Sequence, residues 1–347
     1  MPQLSVVIPC FNEEDCLVEL YQRVSAACVA CTEHYEIVFV NDGSSDRTWP
    51  MIEEFSAWDP HILGVNLSRN HGHQLALTAG LTMASGERIL VIDADLQDPP
   101  ELLQDMMALM DQGFDVVYGQ RRQRDGESLF KKSTASLFYR VLMRLSETPI
   151  PLDTGDFRLM SRRALDALLA MPEQHRFVRG LVSWIGFPQK ALLYDREERF
   201  AGTTKYPLKK MVRFAIDAIT GFSIQPLRFA SQIGLMLAAF GALIIAYVIF
   251  GWLNGETVAG WTSLMAVVVV LGSVQMFVLG VIGEYLGRLY MQSKQRPLFL
   301  IQDVACQAKV DAERAARLGF VAPGALGEEP QVAPLDHWLK IDKAQVG

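Results

Sequence analysis

Cysteine is scarce in this chain, with five thiols (Cys10, Cys16, Cys28, Cys31 and Cys306) among 347 residues. That number and spacing exclude a disulfide-stapled secreted scaffold. Cys28 and Cys31 have C-x-x-C spacing, but a structural zinc site needs a second pair that the sequence lacks. Two small thiols buried in a first helix are the reading that remains. Positive charge is also in deficit, with 32 Lys and Arg against 39 Asp and Glu and a formal net charge of −7. Nucleic-acid binding usually requires a basic face, so no nucleic-acid partner is expected. No apolar leader precedes the strand-like run beginning at Leu4. The N-terminal part therefore reads as cytosolic and reduced, without a signal peptide. No internal repeat is present.

What the chain does have is room for two domains and a 50% share of hydrophobic residues, much of it late in the sequence. Residues 1 to about 200 alternate short Val- and Ile-rich runs with helical stretches. The runs are LSVVIP (4–9), EIVFVND (36–42), ILGVNL (62–67), RILVID (88–93) and DVVYG (115–119). Continuous apolar runs of this length suit strands buried on both faces of a parallel sheet. Helices are predicted near 14–31, 46–57, 73–84 and 99–111, the second preceded by DGSSD, which offers several N-cap residues. The fold class is thus α/β with a mostly parallel, helix-covered sheet. In such sheets ligands sit beyond the carboxyl ends of the strands, where Asp42 and Asp93 both fall.

Near Lys205 the character changes. YPLKKMVRFAIDAITGF (206–222) places Leu208, Val212, Ala215, Ile216 and Ile219 on one helical face, with Lys209, Lys210 and Arg213 towards the other. That pattern fits a helix lying in a membrane interface, and a core helix would fit it too. Two charge-free stretches follow, Phe229 to Gly255 and Thr257 to Gly283, of 27 residues each. A bilayer core needs about 20 apolar residues in a helix, so these are two predicted spans with a tight turn around 254–256. Lys205, Lys209, Lys210, Arg213 and Arg228 precede them and Arg288, Lys294 and Arg296 follow, while the connecting loop has no Lys or Arg. Positive-inside asymmetry places both ends in the cytoplasm. The predicted organisation is 1–205 as a cytoplasmic domain, 206–228 as an interfacial segment, 229–290 as a hairpin of spans, and 291–347 as a partly flexible cytoplasmic tail.

The stretch DADLQDPPE (93–101) carries the chemistry. Asp93 and Asp95 stand one residue apart where a buried strand runs out, followed by Gln97 and two prolines. Proline favours a helix start there, which would explain one acid as a cap or turn former but not both. Two carboxylates and an amide are hard oxygen donors of the kind that hold Mg²⁺ or Mn²⁺ shared with substrate phosphates. With Asp42 at a second strand end, the pattern points to a metal–nucleotide site. SRNHGHQLAL (68–77) puts two histidines near another strand end. Because Mg²⁺ prefers oxygen, these read as a glycine-containing turn into a helix beside the nucleotide. His34, His61, His175 and His337 read as surface or packing residues.

VVIPCFNEE, VNDGSSDRTW, DADLQDPPE, GDFRLM and RFAGTTKYPLKK occur in this order and resemble the family 2 glycosyltransferases of GT-A fold. The resemblance is strongest to the polyprenyl-phosphate glycosyltransferases, which include dolichyl-phosphate mannose synthases and the bactoprenol glucosyltransferases of O-antigen (lipopolysaccharide) modification. It runs from residue 4 to about 300. It implies that Pro9, Phe11 and Glu13 line a nucleotide pocket, although many relatives have Tyr where Phe11 stands. It further implies that Asp42 contacts the base or ribose, that Asp93 faces the nucleotide sugar, and that Asp95 and Gln97 hold the metal. Arg121 and Arg122 are implied near the donor phosphates, and Asp156 is the candidate catalytic carboxylate, with Arg158 beside it. A phosphate monoester has a second pKa of about 6, so the acceptor needs little deprotonation and Asp156 could orient rather than act as a base. Arg199 and Lys205 are implied to grip the lipid phosphate, with Lys131 and Lys132 contributing to a lid.

The function implied is inverting transfer of a hexose from a nucleotide sugar to polyprenyl (undecaprenyl) phosphate at the cytoplasmic face of a bacterial inner membrane. UDP-glucose is the favoured donor, followed by UDP-N-acetylglucosamine and then GDP-mannose. A separate flippase is expected for the product, and a homo-oligomer such as a tetramer is expected from relatives and from Gly272, Gly280, Gly283 and Gly287 in the second span. A processive polysaccharide synthase would carry a Gln-x-x-Arg-Trp motif and more spans. A non-catalytic sensor or scaffold would be expected to lose the acids.

Overall fold

A computed structural model of the chain describes residues 2–122, 154–195, 225–254 and 260–307. These fall into two compact units, one holding 2–122, 154–195 and 295–307, the other 225–254 and 260–294.

The first unit is built on an eight-stranded sheet. In chain order its elements are β1 (Leu4–Cys10), α1 (Leu17–Cys31), β2 (Tyr35–Asn41), α2 (Thr48–Trp58), β3 (Ile62–Leu67), α3 (His73–Met83), β4 (Arg88–Val91), α4 (Leu103–Met110) and β5 (Val116–Arg121). After residues 123–153 come β6 (Thr154–Ser161), α5 (Arg162–Leu169), α6 (Val178–Ile185) and β7 (Gln189–Tyr194). The strand order is β7-β5-β6-β4-β1-β2-β3-β8, where β8 (Ile301–Ala305) follows the second long helix. β1, β2, β3 and β4 pair in parallel, as do β5 and β7, while β6 and β8 run opposite to their neighbours. The α/β, mostly parallel sheet expected from the Val/Ile-rich runs is present. Full burial of every residue in β1, β2 and β3 explains why those runs are apolar without alternation. Cys28 is buried in α1 and Cys31 half-buried, as small apolar-like thiols.

Three expectations need correction. β4 stops at Val91 and the chain turns at Ala94 and Asp95, so Asp93 and Asp95 do not share one extended segment, and Leu96 takes a left-handed φ of 57°. GDFRLM (155–160), whose sequence reads as lying just before a new strand and helix, instead itself forms the strand, β6, antiparallel to β4. Finally, the segment after 291 is not merely a tail: Ile301–Ala305 pairs antiparallel with β3 as an edge strand.

The second unit contains two long helices, α7 (Gln225–Leu253) and α8 (Trp261–Ser293), which touch each other. Their 29 and 33 residues give lengths of about 44 and 50 Å at a rise of 1.5 Å per residue. Gln225–Ile244 and Val267–Ser293 are apolar enough to cross a membrane. Leu235, Leu243, Phe250 and Leu286 are exposed, which costs little in hydrocarbon and much in water. Residues 206–224, including most of the expected interfacial segment, lie outside the described residues.

Candidate active site

The antiparallel setting of β6 builds the site. Val91 of β4 is in register with Arg158, so continuing the pairing beyond the carboxyl end of β4 brings Asp156 opposite Asp93. Asp156 is buried at 4% exposure, and Arg158 beside it at 3%. β3 leads through Gly72, at φ 97°, into α3, whose first two residues are His73 and Gln74. His73 Nε2 lies 3.2 Å from Asp156 Oδ2 and 3.5 Å from Asp93 Oδ1. Gln74 Nε2 donates to Asp156 Oδ2 at 3.0 Å, and Gln74 Oε1 accepts from the Val178 amide at 2.9 Å. That second bond ties α3 to the start of α6, where Arg179 Nε donates to Asp156 Oδ1 at 3.4 Å.

Electrostatics follow from this packing. Burial pushes Asp156 up, but Arg179, His73 and Arg158 outweigh it and hold the carboxyl well below the usual range. Burial lowers His73, yet Asp156 and Asp93 more than offset that and raise it to about 9. Burial pushes Asp93 up to about 6, with His73 opposing and Asp156, Asp98 and Asp95 adding to the rise. Burial brings Arg158 down to about 10 against the pull of Asp156. At neutral pH the cluster is therefore an anionic Asp156 held among cations. Such a carboxylate is a poor proton acceptor and a firm anchor.

The loops after β1, β2 and β3 are bound to one another by side chains. Asp42 is 3% exposed and accepts from the amides of His71 at 2.7 Å and Gly72 at 2.9 Å. Burial raises its pKa while those two amides lower it. The expected contact of Asp42 with base or ribose therefore meets a carboxylate already engaged at both oxygens by the β3–α3 loop. Gly43 has φ +67°, and a Cβ there would lie 2.5 Å from the Asn70 amide nitrogen, so only glycine lets these loops approach. Asp46 accepts from the Thr48 amide at 3.0 Å, two residues on, at the head of α2; the N-cap itself is Arg47, which makes no side-chain cap bond, so the N-cap expected from DGSSD falls one residue beyond that stretch. Of the first motif, Pro9 is buried within β1, Phe11 is 39% exposed, and Glu13 donates its amide to Thr48 Oγ1 at 2.9 Å.

On the other flank, Arg121 ends β5 beside Gly155, where a Cβ would stand 3.4 Å from Arg121 Nη2. Arg121 Nε is buried and has no hydrogen-bond partner among the described residues. The Tyr194 hydroxyl donates to Asp98, tying the end of β7 to the DADLQD turn. Arg122 is more open and pairs with Asp195 at 3.6 Å.

From Asp93 to Pro99 exposure alternates: Asp93, Asp95, Gln97 and Pro99 are partly exposed, whereas Ala94, Leu96 and Asp98 are buried. Both acids and the amide thus keep part of their surface accessible even though the backbone turns. Asp95 Oδ1 accepts from the Gln97 amide at 3.2 Å. Among the described residues no three His, Cys, Asp or Glu converge as a complete protein cage for a metal. A Mg²⁺ or Mn²⁺ site completed by substrate phosphates needs only one or two carboxylates, and the oxygen donors of Asp95 and Gln97 fit that chemistry.

The structure thus brings Asp93, Asp156 and Arg158 together, with Asp95 and Gln97 on the adjoining turn, and sets Arg121 by Gly155. Lys131, Lys132, Arg199 and Lys205 lie outside the described residues. His73, Gln74, Arg179, Asp98 and Tyr194 were missed. His73 was findable, since it follows β3 at the same strand ends that singled out Asp42 and Asp93. Arg179 had no local signal, because only the packing of α6 brings it to Asp156.

Residues 5–169 match the sequence profile of Glycosyl transferase family 2, and residues 225–289 match that of the GtrB C-terminal hairpin. The chain is 47% identical over 301 residues to an uncharacterized glycosyltransferase, YkcC, of Bacillus subtilis (strain 168), spanning 86% of this chain and 93% of the relative. It is 38% identical over 303 residues to the prophage bactoprenol glucosyl transferase homolog of Escherichia coli (strain K12), spanning 87% and 99% respectively. It is also 38% identical over 302 residues to the bactoprenol glucosyl transferase of Shigella phage SfV, spanning 87% and 98%.

Proposed function

This chain belongs to glycosyl transferase family 2 and carries the GtrB C-terminal hairpin, and from that premise we propose that it transfers glucose from UDP-glucose to a polyprenyl phosphate. The observation that carries this reading is the match, over nearly their whole length, to relatives named bactoprenol glucosyl transferase, catalytic domain and hairpin together. The crevice supports it: a buried Arg121 donor suits an anionic diphosphate, and Asp93 beside Asp156 suits the hydroxyls of a hexose.

In this reading the phosphate monoester attacks the anomeric carbon in a single displacement, the C–O bond to UDP breaks, and the configuration inverts. The acceptor is largely a dianion at neutral pH, with a second pKa of about 6, so no strong base is required. Asp156 accordingly fixes His73, Gln74 and Arg179 rather than removing a proton. Asp95 and Gln97 would hold a Mg²⁺ or Mn²⁺ ion, which supplies positive charge against the leaving diphosphate. Arg199 and Lys205, with Lys131 and Lys132, receive the lipid phosphate. The two apolar helices anchor the enzyme in the bacterial inner membrane with both termini cytoplasmic, following their flanking Lys and Arg. Two spans are too few for a pore, so a separate flippase moves the product.

The test uses full-length protein in detergent with undecaprenyl phosphate and Mg²⁺ or Mn²⁺. Radiolabelled UDP-glucose, UDP-N-acetylglucosamine and GDP-mannose are offered separately, and label extracted into organic solvent is counted. Label from UDP-glucose alone, lost on adding EDTA, is the expected result. Label from another donor would reassign the sugar, and none from any would contradict the transferase reading.

A further inference from the structure

β8 lies beyond both long helices in sequence, yet it is an edge strand of the sheet, in register with β3 through Asn66 and Asp303. The Ser68 amide donates to the Leu300 carbonyl at 2.9 Å, extending this contact into the β3–α3 loop. From β8 a line of side chains runs across the carboxyl ends of β3 and β2. Asp303 Oδ2 accepts from Asn66 Nδ2 at 3.0 Å, Asn66 Oδ1 accepts from Asn41 Nδ2 at 2.7 Å, and Asn41 Oδ1 accepts from the Ser44 amide at 3.2 Å. Ser44 Oγ then accepts from the Asn12 amide at 3.0 Å, and Asn12 Oδ1 accepts from the Ser45 amide at 2.8 Å. The relay ends on the two loops that carry the FNEE and NDGSSD motifs.

An amide side chain has a donor end and an acceptor end, so such a line has a direction. The Asp303 carboxylate only accepts, which turns the Asn66 nitrogen outward and its oxygen towards Asn41. Asn41 must then present its own oxygen to the Ser44 amide. Asn41 and Asn66 are 2% and 8% exposed, so water cannot readily replace a misdirected partner, and a reversed amide would set two N–H groups against each other.

We propose that Asp303 is a positioning residue for donor binding: it sets the orientation of Asn66 and Asn41 and thereby the shape of the 42–45 loop that receives the nucleotide. The inference rests on the nucleotide-sugar reading of that crevice. It also gives the post-hairpin strand a part in the site that a membrane anchor alone would not need.

The experiment measures UDP-glucose affinity by calorimetry, and KM and kcat for transfer, on full-length protein in detergent. Asp303→Ala removes the acceptor, Asp303→Asn keeps an oxygen that can accept, and Asp303→Lys presents a donor instead. Val304→Ala, in register with Val65, loosens β8 without touching the relay. One hydrogen bond corresponds to about a three- to tenfold change in an equilibrium constant. Asp303→Ala should weaken UDP-glucose binding and raise KM by that factor with kcat nearly unchanged. Asp303→Lys should weaken it further and Asp303→Asn should restore it. Val304→Ala should lower the melting temperature and leave the affinity alone. Normal affinity in both Asp303→Ala and Asp303→Lys, with wild type binding UDP-glucose, would overturn the inference and leave the transferase reading standing. Absence of UDP-glucose binding by wild type would overturn both.

Discussion

Replacing His73 by Gln removes a charge while keeping a side chain that can donate to Asp156, and its effect should depend on pH with a definite sign. In the folded protein His73 is raised to about 9 by Asp156 and Asp93, despite burial, against about 6.5 unfolded. A rise of that size corresponds to about 3 kcal/mol at about 1.4 kcal/mol per pKa unit. The His73 side chain keeps 37% of its exposure, and solvent screening reduces the contribution to the order of 1–2 kcal/mol. Because the folded pKa is the higher one, this stability is fully present below pH ~6.5 and is lost as pH rises through about 9. Thermal unfolding of wild type and His73→Gln in detergent from pH 6 to 10 is the assay. At pH 6 the variant should melt about 2–8 °C lower, and the gap should close above pH ~9.5, where wild-type His73 is neutral too. A gap independent of pH would refute the claim that His73 acts as a cation between two carboxylates.

Asp156→Asn should abolish transfer and also destabilise the catalytic unit by about 3 kcal/mol, because buried Arg158 loses its carboxylate; chemical denaturation distinguishes this from loss of a simple base, which would spare stability. Asp95→Asn should leave folding and membrane insertion intact but shift the Mg²⁺ or Mn²⁺ dependence of transfer to at least tenfold higher metal, and an unchanged metal titration would remove Asp95 from the metal site. Gly43→Ala should cost at least about 1–2 kcal/mol, since its φ of +67° is left-handed and its Cβ would meet the Asn70 backbone. Unaltered thermal stability in that variant would mean that the loops separate freely.

Much of the fold was legible because burial on both faces writes itself as unbroken apolar runs, and β1, β2 and β3 were such runs. The two long helices were equally plain from their charge-free stretches. β6 was hidden because TGDFRLMS carries an acid and an arginine, and their burial is tolerable only once Arg179, His73 and Arg158 surround Asp156. β8 was hidden because IQDVA is a half-exposed edge strand with no apolar signature. Asp93, Asp95 and Asp156 could be proposed from motif and strand-end position. The partners of Asp156 could not all be, since the Gln74 amide and the Arg179 guanidinium reach it only through the pairing of β4 with β6 and the docking of α6. Asp42 was legible as a strand-end acid, but its two bonds to the loop amides belong to tertiary geometry.

The most direct test of the central claim is the identity of the nucleotide released when UDP-glucose meets full-length enzyme and undecaprenyl phosphate. Chromatography of the aqueous phase, alongside mass spectrometry of the extracted lipid, reads both products of one reaction. Transfer of the sugar alone requires UDP, released in equal amount to a lipid carrying one phosphate and one hexose. Release of UMP with a lipid carrying two phosphates would mean that sugar phosphate is transferred, and would contradict the account.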